Sequence, residues 1–525
     1  MTRMNKSKFL LSVHFALTIV VIAIISGCGG EKNGLESTVV AQVGDRNISA
    51  PEFLLNYEFG FAHLKKSPDK KLSYLEYMIN EKLLSLEGYR LGLDKTERLR
   101  NLENRLLEEL LVEEIFKKEV DEKIKISPKD VKEAIAKSNV SWKLRYWVES
   151  DFESSDNLYR TIHERGYSEI VQGNQVNKKE VSEEIQDLET DYLTWIDFPP
   201  ELLNSIENLQ IGEISEPVEY NSAYYLFQVI DIRMEGLSQY DYQTAYKRYE
   251  QILYYRKLNE ETAKYVSSFM TPMNVVTKGD EFRMLADALS EWKQQDKNRH
   301  KFLESLEKAG KSEPASLLLN NHLEKTLISF DDESWTLREF INRFDPGSIK
   351  TDPSKKQKFR NELNRKIARS IRNHLLLIEA RVQGLDKSPG VQEQLQTWRD
   401  KWVYEETRLF YTKNVKIDDT IALNYFEDHK SRYKTVNGNK PTFKEFANQA
   451  RQYAYLKETQ SLLEQKINSL KNEFKVRINH EALDAISVID FKKSRWANVL
   501  LFKRSNGRFA LPFVDPAWGV ETNYN

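Results

Sequence analysis

Residues able to carry covalent or acid–base chemistry are sparse in this chain. There is one cysteine, Cys28, and the eight histidines fall singly along 525 residues. No His-Glu-x-x-His pair, Gly-x-Ser-x-Gly elbow or Gly-x-x-x-x-Gly-Lys loop is present. Isolated histidines and a lone cysteine leave no set of ligands for zinc, so neither a metal nor a cofactor is expected. Cys28 stands out by its setting. Arg3, Lys6 and Lys8 precede an apolar run from Phe9 to about Ile25, and the small residues Ser26 and Gly27 follow. A basic start, an apolar middle and a small-residue end form the pattern of a cleavable secretory signal.

Ile25-Ser26-Gly27-Cys28 resembles the bacterial lipobox, which implies signal cleavage before Cys28 and acylation of its thiol, palmitate included. Residues 1–27 then read as signal peptide and 28–37 as a lipidated polar tether. Several acyl chains, at about 0.8 kcal/mol per buried CH₂, hold a protein firmly to a bilayer. Gly29, in place of aspartate after the cysteine, resembles the outer-membrane sorting default. A periplasm-facing outer membrane is the expected location in a Gram-negative source, and the outer face of the cell membrane otherwise.

Composition narrows the function classes. A net charge of −2 gives no global attraction for nucleic acid. With Cys28 acylated, no disulfide can brace the fold, and an oxidising compartment is compatible. Charged residues at 30% suit a long helical protein.

The elements form a repeat. Val39–Val43 reads as a strand, Gly44-Asp45 as a turn, and Ser49-Ala50-Pro51-Glu52 as a helix start. Thr326–Phe340 aligns on Val39–Phe53 without a gap, and Gly92-Leu93-Asp94-Lys95 returns as Gly384-Leu385-Asp386-Lys387. Matches in constant order argue for a duplicated module, 38–140 and 326–435. Each copy is followed by a long helix and a short strand that would close it: about 240–270 with Val275-Val276, and about 443–473 with Val476–Ile478. The first closing helix and a helical connector fill 236–325; the second and a tail fill 436–525. Trp496–Phe502 reads as a strand. Phe509–Gly519, aromatic and broken by prolines, is expected to pack on the second copy, with an exposed binding strip as the alternative.

An α+β domain, 141–235, is inserted in the first copy. Leu209-Gln210-Ile211-Gly212-Glu213-Ile214-Ser215-Glu216-Pro217-Val218, with the helical Pro200–Ile206 before it, closely resembles the C-terminal half of parvulin-type peptidyl-prolyl isomerases. The strand-turn-helix opening and Gly-Leu-Asp of the flanking module look like the N-terminal domain of SurA and PrsA folding factors. The resemblance implies a mainly α fold, a duplicated SurA N-terminal-like helical module with a small parvulin-like domain inserted in the first copy. Parvulins usually carry a histidine in the first and last strands of their sheet; the matching positions here are Tyr146 and Tyr225. The family's Gly-Gly-Asp-Leu-Gly-Trp corresponds to Thr190-Asp191-Tyr192-Leu193-Thr194-Trp195 without the glycines. A degenerate pocket would comprise Tyr146, Tyr225, Trp195 and Asp191. Replacing both histidines removes groups that titrate near neutrality, so catalysis is expected to be weak or lost. The implied function is a membrane-anchored, chaperone-like folding factor whose partners are unfolded exported polypeptides. An active isomerase and a dedicated assembly subunit of a secretion or surface complex are the alternatives.

Overall fold

The computed structural model describes residues 38–166, 188–221, 223–236, 239–295, 302–330, 333–434, 440–488 and 511–519. The signal segment, Cys28, the tether and the strand expected at Trp496–Phe502 lie outside the described residues. The fold is mainly α with small sheets.

The first copy opens with hairpin β1 (Val39–Val43) and β2 (Arg46–Ser49), followed by α1 (Ala50–Phe59), α2 (Lys70–Arg90) and α3 (Glu97–Glu119). Ser49 caps α1, its Oγ accepting from the Glu52 amide at 3.2 Å, with Pro51 in the first turn. α4 (Pro128–Lys137) starts at a reciprocal Ser127–Asp130 capping box. The inserted domain contains β3 (Val140–Glu149), α5 (Phe152–Arg165), β4 (Leu188–Glu189), β5 (Leu193–Thr194), α6 (Pro200–Asn204), β6 (Val218–Tyr220) and β7 (Ala223–Met234). Then come α7 (Gln239–Met270), β8 (Val276–Thr277), α8 (Gly279–Gln295), α9 (Phe302–Glu307) and α10 (Pro314–Asn320). The second copy runs β9 (Thr326–Phe330), β10 (Glu333–Thr336), α11 (Leu337–Arg343), α12 (Lys356–Val382), α13 (Pro389–Thr412) and α14 (Asp419–Asp428). α15 (Phe443–Glu473), β11 (Val476–Ile478) and α16 (His480–Ala485) follow. The repeated Gly-Leu-Asp-Lys has one backbone in both copies: Gly92 and Gly384 end α2 and α12 at φ +72° and +69°, a region that favours glycine.

The chain folds into two compact units. One, here the sheet unit, holds the inserted domain. Its strands run β4-β3-β7-β6, with β5 also on β3. Trp147, Ile162 and Leu226 pack beneath α5 on one face, while Leu144, Phe227 and Leu202 join the core on the other. α4 packs along α7.

The other, here the helical unit, is built around α2, which packs on α13 and α15. Phe53, Tyr74, Leu75 and Leu83 share its core with Tyr404, Leu463 and Ile467. α2 and α13 approach so closely at Gly88 that a Cβ there would lie 2.2 Å from Thr407 Oγ1.

The strands following the long helices correct the expectation that each closes its own copy. β8, after α7, pairs antiparallel with β9 of the second copy, Val276 opposite Ser329. β11, after α15, pairs with β1 of the first copy, Ala41 opposite Ile478. β1 and β9, the strands that receive them, share one burial pattern. The path of the chain decides, bringing β8 to the hairpin that follows it and leaving β1 free for β11. The tail packs on α13 of the second copy and reaches the first copy as well. Val514 and Trp518 pack into a core made by α2 of the first copy with α13 and α15 of the second.

Candidate functional site

In the sheet unit, β3 and β7 place Tyr146 opposite Phe227 and Tyr225 opposite Val148, so the two tyrosines lie diagonally on one face. Tyr146 is buried; Tyr225 packs partly buried against the same cluster and stacks on Phe227 with centroids 6.2 Å apart. Burial pushes both phenols above their ordinary range; a neighbouring phenol adds to it, Tyr225 for Tyr146 and Tyr220 for Tyr225. Both are therefore neutral hydroxyls at physiological pH, unable to exchange protons as paired imidazoles would.

Trp195 lies in the same core, but its contacts face α4 and α7. Its indole N–H donates to the Ala134 carbonyl at 3.0 Å, and its ring stacks near Tyr249 at 6.4 Å. Arg256 of α7 sits 4.3 Å over that ring and donates to the carbonyls of Trp195, Ile196 and Phe198 at 2.8–2.9 Å. A Thr194–Asp197 capping box fixes the turn. These bonds make Trp195 a fastener between the inserted domain and the helix pair α4–α7. Asp191 is exposed and stands apart from the other three. Thus two of the four residues meet on one face, the third fills the core, and the fourth does not join them.

In the helical unit, residues 511–519, here the strap, cross α2 and α13 without helix or strand. Glu81 of α2 accepts from the Asp515 amide at 2.6 Å and from the Trp518 indole at 3.2 Å. Lys401 of α13 pairs with the other Glu81 oxygen at 2.7 Å. Burial pushes the Glu81 carboxyl up, although Lys401 and the strap amide pull the other way. Asp515 in turn receives Tyr404 Oη at 2.9 Å and the Arg408 guanidinium. The Trp518 ring lies against Tyr77 and Tyr404, with centroids 6.1 and 6.4 Å away. Beyond Asp515, a cleft of about 410 Å³ opens between α13 and α15, lined by Arg408, Leu409, Tyr455 and Thr459. Leu409 and Tyr455 are exposed there.

The sequence reading did not select Glu81, Lys401 or Asp515. One signal was available: Glu81, Lys82 and Ser85 fall on one face of α2, a polar stripe at helical spacing next to the apolar one. Among the described residues no cluster of three or more metal-ligating side chains occurs, and no helix is long and apolar enough to cross a membrane.

No family model matches the chain, and neither does any curated protein. Solved structures do match. The peptidylprolyl isomerase PrsA of Bacillus anthracis is 16% identical, covering 36% of this chain and 96% of its own, with a TM-score of 0.20. A SurA-like chaperone of Campylobacter jejuni, of the PEB4 and Cj1289 pair, is 14% identical, covering 46% and 100%, with a TM-score of 0.21. The foldase PrsA of Lactococcus lactis is 12% identical, covering 44% and 93%, at 0.19. Scores this low fix no common arrangement of domains, so the functional reading rests on this chain's own residues.

Proposed function

We propose that the chain is a membrane-anchored folding factor that holds unfolded exported polypeptides and has lost parvulin catalysis. The cleft on the helical unit carries the reading. Leu409 and Tyr455 stand exposed between Arg408 and Glu405, putting apolar contact beside both signs of charge on packed helices. Such a surface suits segments of varied sequence, because large apolar groups left exposed beside charges mark contact sites for other chains. Loss of catalysis is supported by the packing of Tyr146 and Trp195 into the core, where a proline ring would need an open pocket. Twisting an X–Pro bond against a barrier of ~20 kcal/mol needs groups that favour the rotated state. Two neutral phenols, one of them buried, offer little of that preference. The lipid on Cys28 would hold this surface where exported chains emerge.

Three measurements test the reading. The soluble fragment 29–525 should suppress aggregation of an unfolded outer-membrane or secreted protein; no effect at stoichiometric excess defeats the proposal. It should not accelerate a proline-limited refolding reaction, and acceleration abolished by altering Tyr146 or Tyr225 would restore the isomerase. Incorporation of labelled fatty acid should vanish in Cys28→Ser, and its persistence would remove the anchor.

A further inference from the structure

The strap is held as a ligand is held. It contributes no regular structure, and its anchors are received by side chains of the helical unit. The Asp515 amide and the Trp518 indole converge on Glu81, the Asp515 carboxylate meets Tyr404 and Arg408, and the Pro516 carbonyl lies 2.7 Å from His63 Nε2. Two of the receiving groups are also held from within the helix pair: Lys401 pairs with Glu81 at 2.7 Å and lies 4.7 Å over the Tyr404 ring. Two of these contacts read backbone and three read an acid or an indole, so an extended segment with those side chains at the same spacing can present them all.

The fit is also incomplete. A space of about 50 Å³ remains between strap residues Pro512–Val514 and the helices, lined by Met78, Ser85 and Thr397 among others. A second, of about 10 Å³, lies beside Ala517 and Trp518, and past Asp515 the open cleft of about 410 Å³ continues. Segments shaped as core fill their surroundings to crystal-like density. Here the groove extends beyond its occupant.

We propose that the groove formed by α2, α13 and α15 is a binding site for an extended polypeptide segment with an acidic residue three positions before an aromatic one, and that the strap occupies it in cis as a displaceable stand-in. This deepens the folding-factor reading, on which it rests, by giving client segments one located site. The acid's amide goes to Glu81, its carboxylate to Tyr404 and Arg408, and the aromatic ring enters between Tyr77 and Tyr404. Covalent attachment gives the strap an effective concentration at the groove of order millimolar. A client segment therefore enters when it engages the adjoining cleft as well, or when it is present at comparable concentration.

The probe is a fluorescein-labelled peptide of residues 511–519, titrated by polarisation into chain 29–525 and into its Asp515→Ala/Trp518→Ala variant. The variant, with its own strap weakened, is expected to bind the peptide at least tenfold more tightly than the unaltered chain. Adding Glu81→Gln should reverse that gain. Equal binding by a variant that still melts cooperatively overturns the proposal. Hydrogen exchange on the unaltered chain gives a reading independent of the variant's stability. Millimolar peptide should speed exchange across 511–519 while α2 and α13 stay protected; unchanged exchange in the strap overturns the proposal. The two readings separate cleanly. Peptide binding without suppression of client aggregation keeps the groove and removes the folding factor, whereas suppression indifferent to peptide keeps the folding factor and removes the groove.

Discussion

Trp195 in the sheet unit and Trp518 in the helical unit are equally buried, at 5% and 4% exposure, and each indole N–H has a partner. The partners differ. Trp195 donates to a backbone carbonyl of α4 and lies under a guanidinium from α7 that ties down three more carbonyls. Trp518 donates to a charged side chain from a segment with no regular structure, beside unfilled space. Equal burial therefore conceals unequal commitment. The first indole cannot leave without opening the domain, while the second leaves when its segment detaches.

This comparison is most exposed to Trp195→Ala, which should cost about 3–5 kcal/mol, as expected for removing a large core ring. Urea unfolding of the sheet unit would measure it, and a loss below about 1 kcal/mol would return Trp195 to an open site. Gly88→Ala should cost about 1–3 kcal/mol through overpacking against Thr407 and Val403, read as a lowered melting temperature of the helical unit. Trp518→Ala should cost less than Trp195→Ala, about 1–2 kcal/mol, because no strap substitution can cost more than the strap's own docking. Parity between the two tryptophan variants in unfolding would mean the strap is ordinary core.

The smallest effect is read in pH. Glu87 of α2 is desolvated, which alone would raise its carboxyl, but hydrogen bonds from Arg90, Tyr411 and Lys466 outweigh this and hold it below the ordinary carboxylate range. A depressed carboxylate stabilises the fold above its unfolded value, about 4.3, and that contribution is lost as pH falls through the lower folded value. The stability difference between the unaltered chain and Glu87→Gln should therefore shrink as pH falls below the ordinary carboxylate range. A constant difference would show that Glu87 acts by packing alone.

Legibility followed the range of the interactions. Caps at Ser49 and Ser127, the two Gly-Leu-Asp-Lys turns and the alternation of β3 are local, and local chemistry writes them in the sequence. The pairing of β1 with β11 was hidden, because two near-identical hairpin edges compete for two near-identical strands and the choice depends on the chain's path. That tyrosines stand at positions 146 and 225 was readable, whereas the engagement of Trp195 with α4 and α7 was not, since Ala134 and Arg256 lie far from it in sequence. The groove escaped notice for the same reason: Glu81, Lys401 and Asp515 come from three distant segments and meet only in the folded chain.

The exchanged strands also impose an order of arrival. A chain is synthesised from its N-terminus, and the first hairpin is produced long before β11, the strand that finishes its sheet. Until almost the whole polypeptide has been made, the outer edge of β1 has backbone groups without their native strand, an invitation to pair with whatever is near. The second hairpin meets β8 as soon as it appears. Completion is thus staggered, with the hairpin nearest the N-terminus the last to be sealed, and a chain cut short anywhere before β11 leaves that seam open.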